Sequence, residues 1–200
     1  MKNKTYIIAM TGASGSLYGV RLIKAILNAK VNLIVIVSNA AIKVLEHETK
    51  YKKENSFKDF VISHGVKEQY KANIKVFFQD QIDSSCASGS FVHSGMVIAP
   101  CSMKTLASVS AGFADNLITR TADVTLKEKR TLVIVPRETP YNLIHLENMI
   151  KLCRAGAIIL PPNPLFYTFP RTIEDLIDTT IARILDHLKI DHNLCKRWKT

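Results

Sequence analysis

No apolar run in this sequence reaches the roughly 18 residues that a membrane-spanning helix needs, so no such helix is expected. Cysteine is sparse and scattered. Cys86, Cys101, Cys153 and Cys195 form no CxxC pair, and the six histidines give neither HExxH nor a Cys/His ligand spacing. A disulfide framework and structural zinc are thereby excluded as expectations. Both common nucleotide signatures, GxGxxG and GxxxxGK[ST], are missing, which leaves NAD and ATP without support. There is no internal repeat, no low-complexity tract and no linker, so the 200 residues are expected to form one α/β domain spanning 1–200. Met1-Lys2-Asn3-Lys4-Thr5 leads into an apolar strand with no signal-peptide core or cleavage site, which predicts a cytoplasmic protein.

What is present is an ordinary globular balance, 47% hydrophobic and 22% charged, with a formal net charge of +10 from 27 basic and 17 acidic residues. Much of the excess lies in Lys43–Lys75 and in the tail Lys196-Arg197-Trp198-Lys199. Those lysines lack interleaved aromatics and any nucleic-acid motif, so a solvated surface is the reading and no nucleic-acid partner is expected.

The chain is organised around Tyr6–Ile23. Tyr6–Met10 reads as a buried strand; Thr11-Gly12-Ala13-Ser14-Gly15 breaks it, and a helical pattern of Leu17, Val20, Leu22, Ile23, Ile26 and Leu27 follows. A strand feeding a helix through small residues is a frequent phosphate-binding turn, with helix-start amides facing the anion. A tight βα turn holding no ligand is the rival reading. Further strands are predicted at Val31–Val37, Ile74–Phe78, Met96–Pro100, Thr131–Val135 and Ala157–Leu160. Helices are predicted following Ser38-Asn39-Ala40-Ala41 to about Lys50, at about Phe57–Ser63, behind Cys101, at Ala114–Lys129, at Leu143–Leu152 and at about Thr172–Leu188. This βα alternation argues for a three-layer, Rossmann-like fold, flavodoxin-like in class, with a mainly parallel sheet.

In a parallel sheet the carboxyl ends of all strands share one edge, where open α/β sheets bind ligands. Ser14, Ser38, Ser102 to Thr105, and Arg137-Glu138 all follow such ends. Arg120 and Lys127 are seven residues apart, on one helix face with Asp123 between them, and are either an anion site or an exposed ion-pair ladder. Arg183 flanks the apolar stripe of the last helix and needs a partner, which is either a phosphate or Glu174 or Asp186. Glu138 is either a proton-transfer group or a partner for Arg137, and Tyr167 either anchors its proline-rich loop or donates to a ligand. Asp83–Gly95, crowded with serine and glycine, reads as a functional loop.

TGASGSLYGVRL, APCSMKTLASVSAGFADNLITRTADVTLKE, LVIVPRETP, IHLENM and PPNPLFY, with an ARILD segment in the last helix, stand in an order and spacing that resemble the UbiX-like flavin prenyltransferases. The likeness runs from about Tyr6 to Ile190. It implies a Rossmann-like homododecamer that transfers a dimethylallyl group from dimethylallyl phosphate to N5 and C6 of reduced FMN, without a metal. The product, prenylated FMN, serves UbiD-like decarboxylases.

Position by position, the resemblance puts FMN on Gly12, Ala13, Ser14, Ser38, Ser102, Met103, Lys104, Thr105 and Arg137. It puts the prenyl phosphate near Arg120, Lys127, Tyr167 and Arg183, with Ser88, Gly89 and Ser90 between the two ligands. Glu138, Glu48, Lys127 and Ser14 fall on catalytic positions, and Trp198 on an aromatic that approaches a neighbouring subunit. Asn39 replaces the lysine common after Ser38, and Leu165 stands where small residues are frequent. Stabilising the leaving phosphate falls to Arg183, Lys127 and Arg120, and the C6 proton goes to the departing phosphate or to Glu138. Two rival functions remain at this point: an FMN-dependent cysteine-type oxidative decarboxylase, whose Pro-x-Met-Asn motif is replaced by Pro161-Pro162-Asn163-Pro164, and a non-catalytic flavin carrier subunit.

Overall fold

In the computed structural model, which describes residues 4–198, six parallel strands form one sheet in the order β3-β2-β1-β4-β5-β6. The strands are β1 (Thr5–Met10), β2 (Asn32–Val37), β3 (Ile74–Phe78), β4 (Met96–Cys101), β5 (Leu132–Pro136) and β6 (Ile158–Ile159). Seven helices occur among the described residues: α1 (Ser16–Asn28), α2 (Asn39–Glu48), α3 (Phe57–Ser63), α4 (Met103–Ser110), α5 (Leu117–Lys127), α6 (Leu143–Arg154) and α7 (Ile173–Leu188).

The continuous β-branched runs form strands because both faces are covered. Within β1, Tyr6, Ile8 and Met10 join a core with α1, α2, α3 and α7, while Ile7 and Ala9 point the other way, into a core with α4, α5 and α6. This alternation is the period of two expected for an extended chain, and it makes the molecule three layers. β1 pairs in register with β2 from Thr5↔Asn32 to Met10↔Val37, and with β4 from Ile7↔Met96 to Ala9↔Ile98. The β4/β5 pairing shifts register between Ile98 and Cys101.

The strand order reverses between β1 and β4, and that switch point opens a crevice at the carboxyl edge. Helices that begin there are capped by side chains: Ser38 accepts from the Ala41 amide and Ser102 from the Thr105 amide. α5, α6 and α7 start with capping boxes at Asn116, Asn142 and Thr172. α1 and α7 are joined by Arg21, whose Nε and Nη2 donate to the two oxygens of Asp178 at 2.8 and 2.6 Å.

The predicted elements all occur, most within a few residues of their expected bounds. A 3-10 turn at Glu68–Asn73 in the lysine-rich segment was not foreseen. No described helix is long and apolar enough to cross a membrane.

Candidate active site

The loop after β1 is shaped by two glycines. Gly15 has φ of 96°, a left-handed conformation that side chains with a Cβ rarely adopt. A Cβ on Gly12 would lie 2.5 Å from the Ala40 Cβ, so only glycine lets this loop touch the start of α2.

Here the structure corrects the expectation of helix-start amides open to an anion. The carboxylate of Glu48, the last residue of α2, occupies that place. It accepts from the Gly15 amide at 3.0 Å, the Ser16 amide at 2.8 Å and the Ser16 hydroxyl at 2.7 Å. Partial burial pushes the Glu48 carboxyl up, but hydrogen bonds from the Ser14 and Ser16 side chains and from the Ser16 and Gly15 amides outweigh it, so its pKa lies below the usual carboxylate value. Glu48 is therefore ionised at neutral pH and complements the positive end of α1.

The neighbouring strand ends converge on the same crevice. Thr11, buried at the end of β1, donates its hydroxyl to the Pro100 carbonyl at 2.8 Å and accepts from the Ser102 amide at 2.8 Å. This lashes β1 to the start of α4. Arg137, after β5, donates its backbone amide to the Cys101 carbonyl at 3.1 Å and its Nε to the Ser14 carbonyl at 3.0 Å, so one side chain spans from β5 to the β1 loop. Ser102 Oγ also donates to Thr105 Oγ1 at 3.1 Å. Gly12, Ala13, Ser14, Ser38, Ser102, Met103, Lys104, Thr105, Arg137 and Glu138 thus all lie along one sheet edge. Glu138 is exposed and accepts from the Thr139 amide at 3.0 Å, so it is not the partner of Arg137.

This donor set fits a phosphorylated ligand. The first amides of α2 and α4 have no intrahelical partner, hydroxyls of Ser38, Ser102 and Thr105 stand beside them, and Arg137 supplies a cation. With the start of α1 filled by Glu48, the starts of α2 and α4 remain able to take an anion at this edge.

A second group of residues lies elsewhere. α5 begins at the carboxyl edge, where the Leu117 amide meets the Gln79 carbonyl, and ends near the start of β5. Lys127, in its last turn, is consequently about a strand's length, ~17–20 Å, from Ser14. Arg120 pairs with Asp123 at 3.0 Å, and Lys127 with Glu128, not Asp123, at 2.9 Å. The Ser88-Gly89-Ser90 loop lies against this end: a Cβ on Gly89 would sit 2.9 Å from Lys127 Nζ and 2.5 Å from Glu128 Oε1. The Ser88 and Ser90 hydroxyls are 2.9 Å apart.

A third group surrounds α7. Arg183, its side chain 54% exposed, donates to Asp186 at 3.0 Å, one of the two partners expected for it besides a phosphate. Asp186 also takes Arg197 at 2.7 Å and His192 Nε2 at 3.2 Å. Burial raises the Asp186 carboxyl, yet Arg197 and His192 hold it below its ordinary value. The tail so fixed sets Trp198 edge-on against Tyr167, ring centroids 4.9 Å apart. Within one chain Trp198 therefore packs on its own Tyr167, a contact the sequence did not suggest.

Sequence reasoning missed Thr11, Ser16 and Arg130, and for Asp186 foresaw only the pairing with Arg183. Ser16 had a readable signal, since a hydroxyl at a helix start is a routine capping group; the others act through contacts 30 or more residues away or through the tail. Among the described residues no group of three or more His, Cys, Asp or Glu is placed to hold a metal ion.

The flavoprotein family profile matches residues 1–191. Flavin prenyltransferase UbiX of Methanocaldococcus jannaschii is 43% identical over 195 residues, which is 97% of this chain and 98% of that one. The solved AnUbiX (PadA1) complex with FMN and dimethylallyl pyrophosphate is 40% identical, with a TM-score of 0.88 over 100% of this chain and 99% of that one. A dodecameric FMN-dependent UbiX-like decarboxylase from Escherichia coli O157:H7 is 38% identical, with a TM-score of 0.85 over 98% of this chain and 100% of that one. The chain belongs to the flavoprotein family and, within it, to the flavin prenyltransferases.

Proposed function

We propose that residues 1–200 form a single flavin-binding domain that prenylates reduced FMN with dimethylallyl phosphate. The observation that carries the reading is the carboxyl-edge crevice, where hydroxyl-capped starts of α2 and α4 flank a glycine loop braced by Arg137. A relative that is 40% identical over the whole chain has been solved with FMN and an allylic pyrophosphate. When bound, reduced FMN supplies the electron-rich N5 and C6 that receive the allyl group.

The residues act by binding and charge placement. Ser38, Ser102, Thr105 and Arg137 hold the flavin phosphate end, with Gly12, Ala13, Met103 and Lys104 lining the crevice. Ser14, tied to Glu48, presents a hydroxyl oriented by a carboxylate. Arg120, Lys127, Tyr167 and Arg183, with the Ser88-Gly89-Ser90 loop, bind the prenyl phosphate and stabilise the charge that develops on it as it leaves. Glu138, exposed at the same edge as Ser14, takes the proton released at C6.

Within one chain the Lys127 and Ser14 groups stand toward opposite ends of the strands, so the complete site is assembled between copies, in a homododecamer. Exposed Leu143, Ile144 and Ile150 on α6, and Phe166, Phe169 and Ile173 before and at the start of α7, are apolar surface for such contacts. The product goes to a UbiD-like decarboxylase, and the enzyme works in the cytoplasm without nucleic acid or membrane. The test is anaerobic incubation with reduced FMN and dimethylallyl phosphate, followed by mass analysis of the flavin. A prenyl adduct is expected. Folded, flavin-bound protein that leaves the flavin mass unchanged rejects the transferase reading and favours a flavin carrier; CO₂ released from a cysteine-bearing substrate would favour the oxidative decarboxylase.

A further inference from the structure

Arg130 stands just beyond α5, where sequence patterning assigned it nothing. Its Nη1 donates to the Phe91 carbonyl at 2.7 Å and its Nη2 to the Gly89 carbonyl at 2.9 Å. Arg120 Nε takes the Ala87 carbonyl at 3.1 Å. Alternate carbonyls, of residues 87, 89 and 91, are thus all held by guanidinium groups. The segment between them is a tight turn that follows the short 3-10 helix Ser85–Ala87 and is closed by the Phe91 amide, which donates to the Ser88 carbonyl at 3.2 Å. Within that turn the exposed Ser88 and Ser90 hydroxyls meet at 2.9 Å, the Ser90 amide donates to Ser88 Oγ at 3.3 Å, and Gly89 between them lies against Lys127 and Glu128.

Arg130 differs from its neighbours in one respect. Arg120 and Lys127 each have a carboxylate partner within 3.0 Å, whereas Arg130, among the described residues, has only carbonyls. Its charge is felt nearby: burial first, then Arg130, lowers the pKa of His93 to about 4.

We propose that Arg130 is a positioning residue of the donor-phosphate side: by holding the Gly89 and Phe91 carbonyls it fixes the Ser88-Gly89-Ser90 turn and its two hydroxyls at the end of α5, where Gly89 lies against Lys127. This rests on the reading of that loop and Lys127 as the place of the prenyl phosphate. Arg130 touches neither ligand; it acts through the loop.

Arg130→Lys and Arg130→Met are to be compared with wild type for melting temperature, FMN affinity, and KM and kcat for dimethylallyl phosphate. A lysine keeps the charge but cannot hold two carbonyls in the guanidinium fork. The expected result is a donor KM raised about tenfold or more in Arg130→Lys, and further in Arg130→Met, with FMN affinity unchanged. In a Ser88→Ala/Ser90→Ala background, Arg130→Lys should add less than about threefold, because the loop it acts through has lost its donors. An unchanged donor KM overturns the proposal. Parallel losses of FMN affinity, donor KM and melting temperature also overturn it, since they mean a scaffold role. Should Arg130→Met fail to fold, Arg130→Lys and the loop background decide alone. Wild-type protein that forms no prenyl adduct overturns the underlying reading and this role with it, which separates that failure from an active wild type with an indifferent Arg130.

Discussion

Replacing Glu48 tests whether the chain really supplies its own anion to the start of α1. Glu48→Gln keeps the length of the side chain and one oxygen acceptor, but loses the charge and puts an NH2 donor where amide and hydroxyl donors converge. A side-chain cap at a helix start contributes about 1 kcal/mol, and a carboxylate near the N-terminus adds about 0.3–1 kcal/mol. The carboxylate is partly exposed and makes contacts of 2.7–3.0 Å to three donors, so a total of about 1–2 kcal/mol is expected. For a chain of this size that is a loss of about 2–8 °C in melting temperature, measured at fixed protein concentration because assembly shifts it too.

The pH dependence gives the sharper check. The folded pKa of Glu48 is depressed below its ordinary value of 4.5, so its contribution is fully present above pH 4.5 and is lost as pH falls through the lowered folded value. The gap between wild type and Glu48→Gln should be constant from pH 8 to about 5.5 and close progressively below 4.5. Glu48→Ala leaves the Gly15 and Ser16 amides without their acceptor, and sulfate at matched ionic strength should then stabilise the variant more than wild type. Equal stability of Glu48→Gln and wild type at pH 7, or a gap that persists unchanged to pH 3, would refute the assignment.

Three other outcomes follow from the geometry. If the site is completed between copies, a Ser102→Ala/Arg137→Ala variant and a Lys127→Ala variant, each nearly inactive alone, should regain transfer when co-expressed in mixed assemblies; no recovery in proven mixed oligomers counts against a shared site. Arg183→Ala should cost less than about 1 kcal/mol of stability, because its pair with Asp186 is exposed, yet slow transfer about 30- to 1000-fold with FMN affinity nearly unchanged; equal losses in both ligands would make it scaffold. His93, lowered from 6.5 to about 4, binds its proton in the unfolded chain first, so stability is lost as pH falls from 6.5 to 4, by about 3 kcal/mol in full; His93→Gln should flatten that window, and an identical pH profile would show that another group titrates there.

The carboxyl-edge part of the site was legible because it depends on local signals. Strand runs, small-residue turns and Ser38 and Ser102 at helix starts fix where a chain bends and what caps it, and a parallel sheet then gathers those ends without further information. For the residues proposed to hold the donor phosphate, pattern left an anion site and an ion pair both open, and only the family likeness chose between them. Nothing local says that Arg120 and Arg130 reach the carbonyls of Ala87, Gly89 and Phe91, more than 30 residues earlier. Glu48 is the instructive failure. A turn rich in glycine and serine was read as open to a phosphate, and the competing anion came from the end of the next helix, 32 residues on from Ser16. Side-chain capping over that separation has no periodic signature, so pattern alone favoured the external ligand.

The internal carboxylate also explains how positive charge is distributed. With α1 neutralised from within, the proposed site leaves α2, α4 and Arg137 for one phosphorylated ligand and cations of the outer helices for the other. Arg120, Lys127 and Arg183 each rest on a carboxylate from their own helix or the residue after it: Asp123, Glu128 and Asp186. Such exposed pairs contribute about 0–1 kcal/mol, whereas a charge-assisted bond to a phosphate in a site closed by a second copy contributes more, about 1.5–3 kcal/mol. On the proposed reading, the exchange of carboxylate for phosphate would be favourable only once neighbouring chains exclude water. In the proposed shared site each pair would hold its cation in the lone chain and release it to the donor phosphate where neighbouring chains complete the site, which would tie donor binding to assembly.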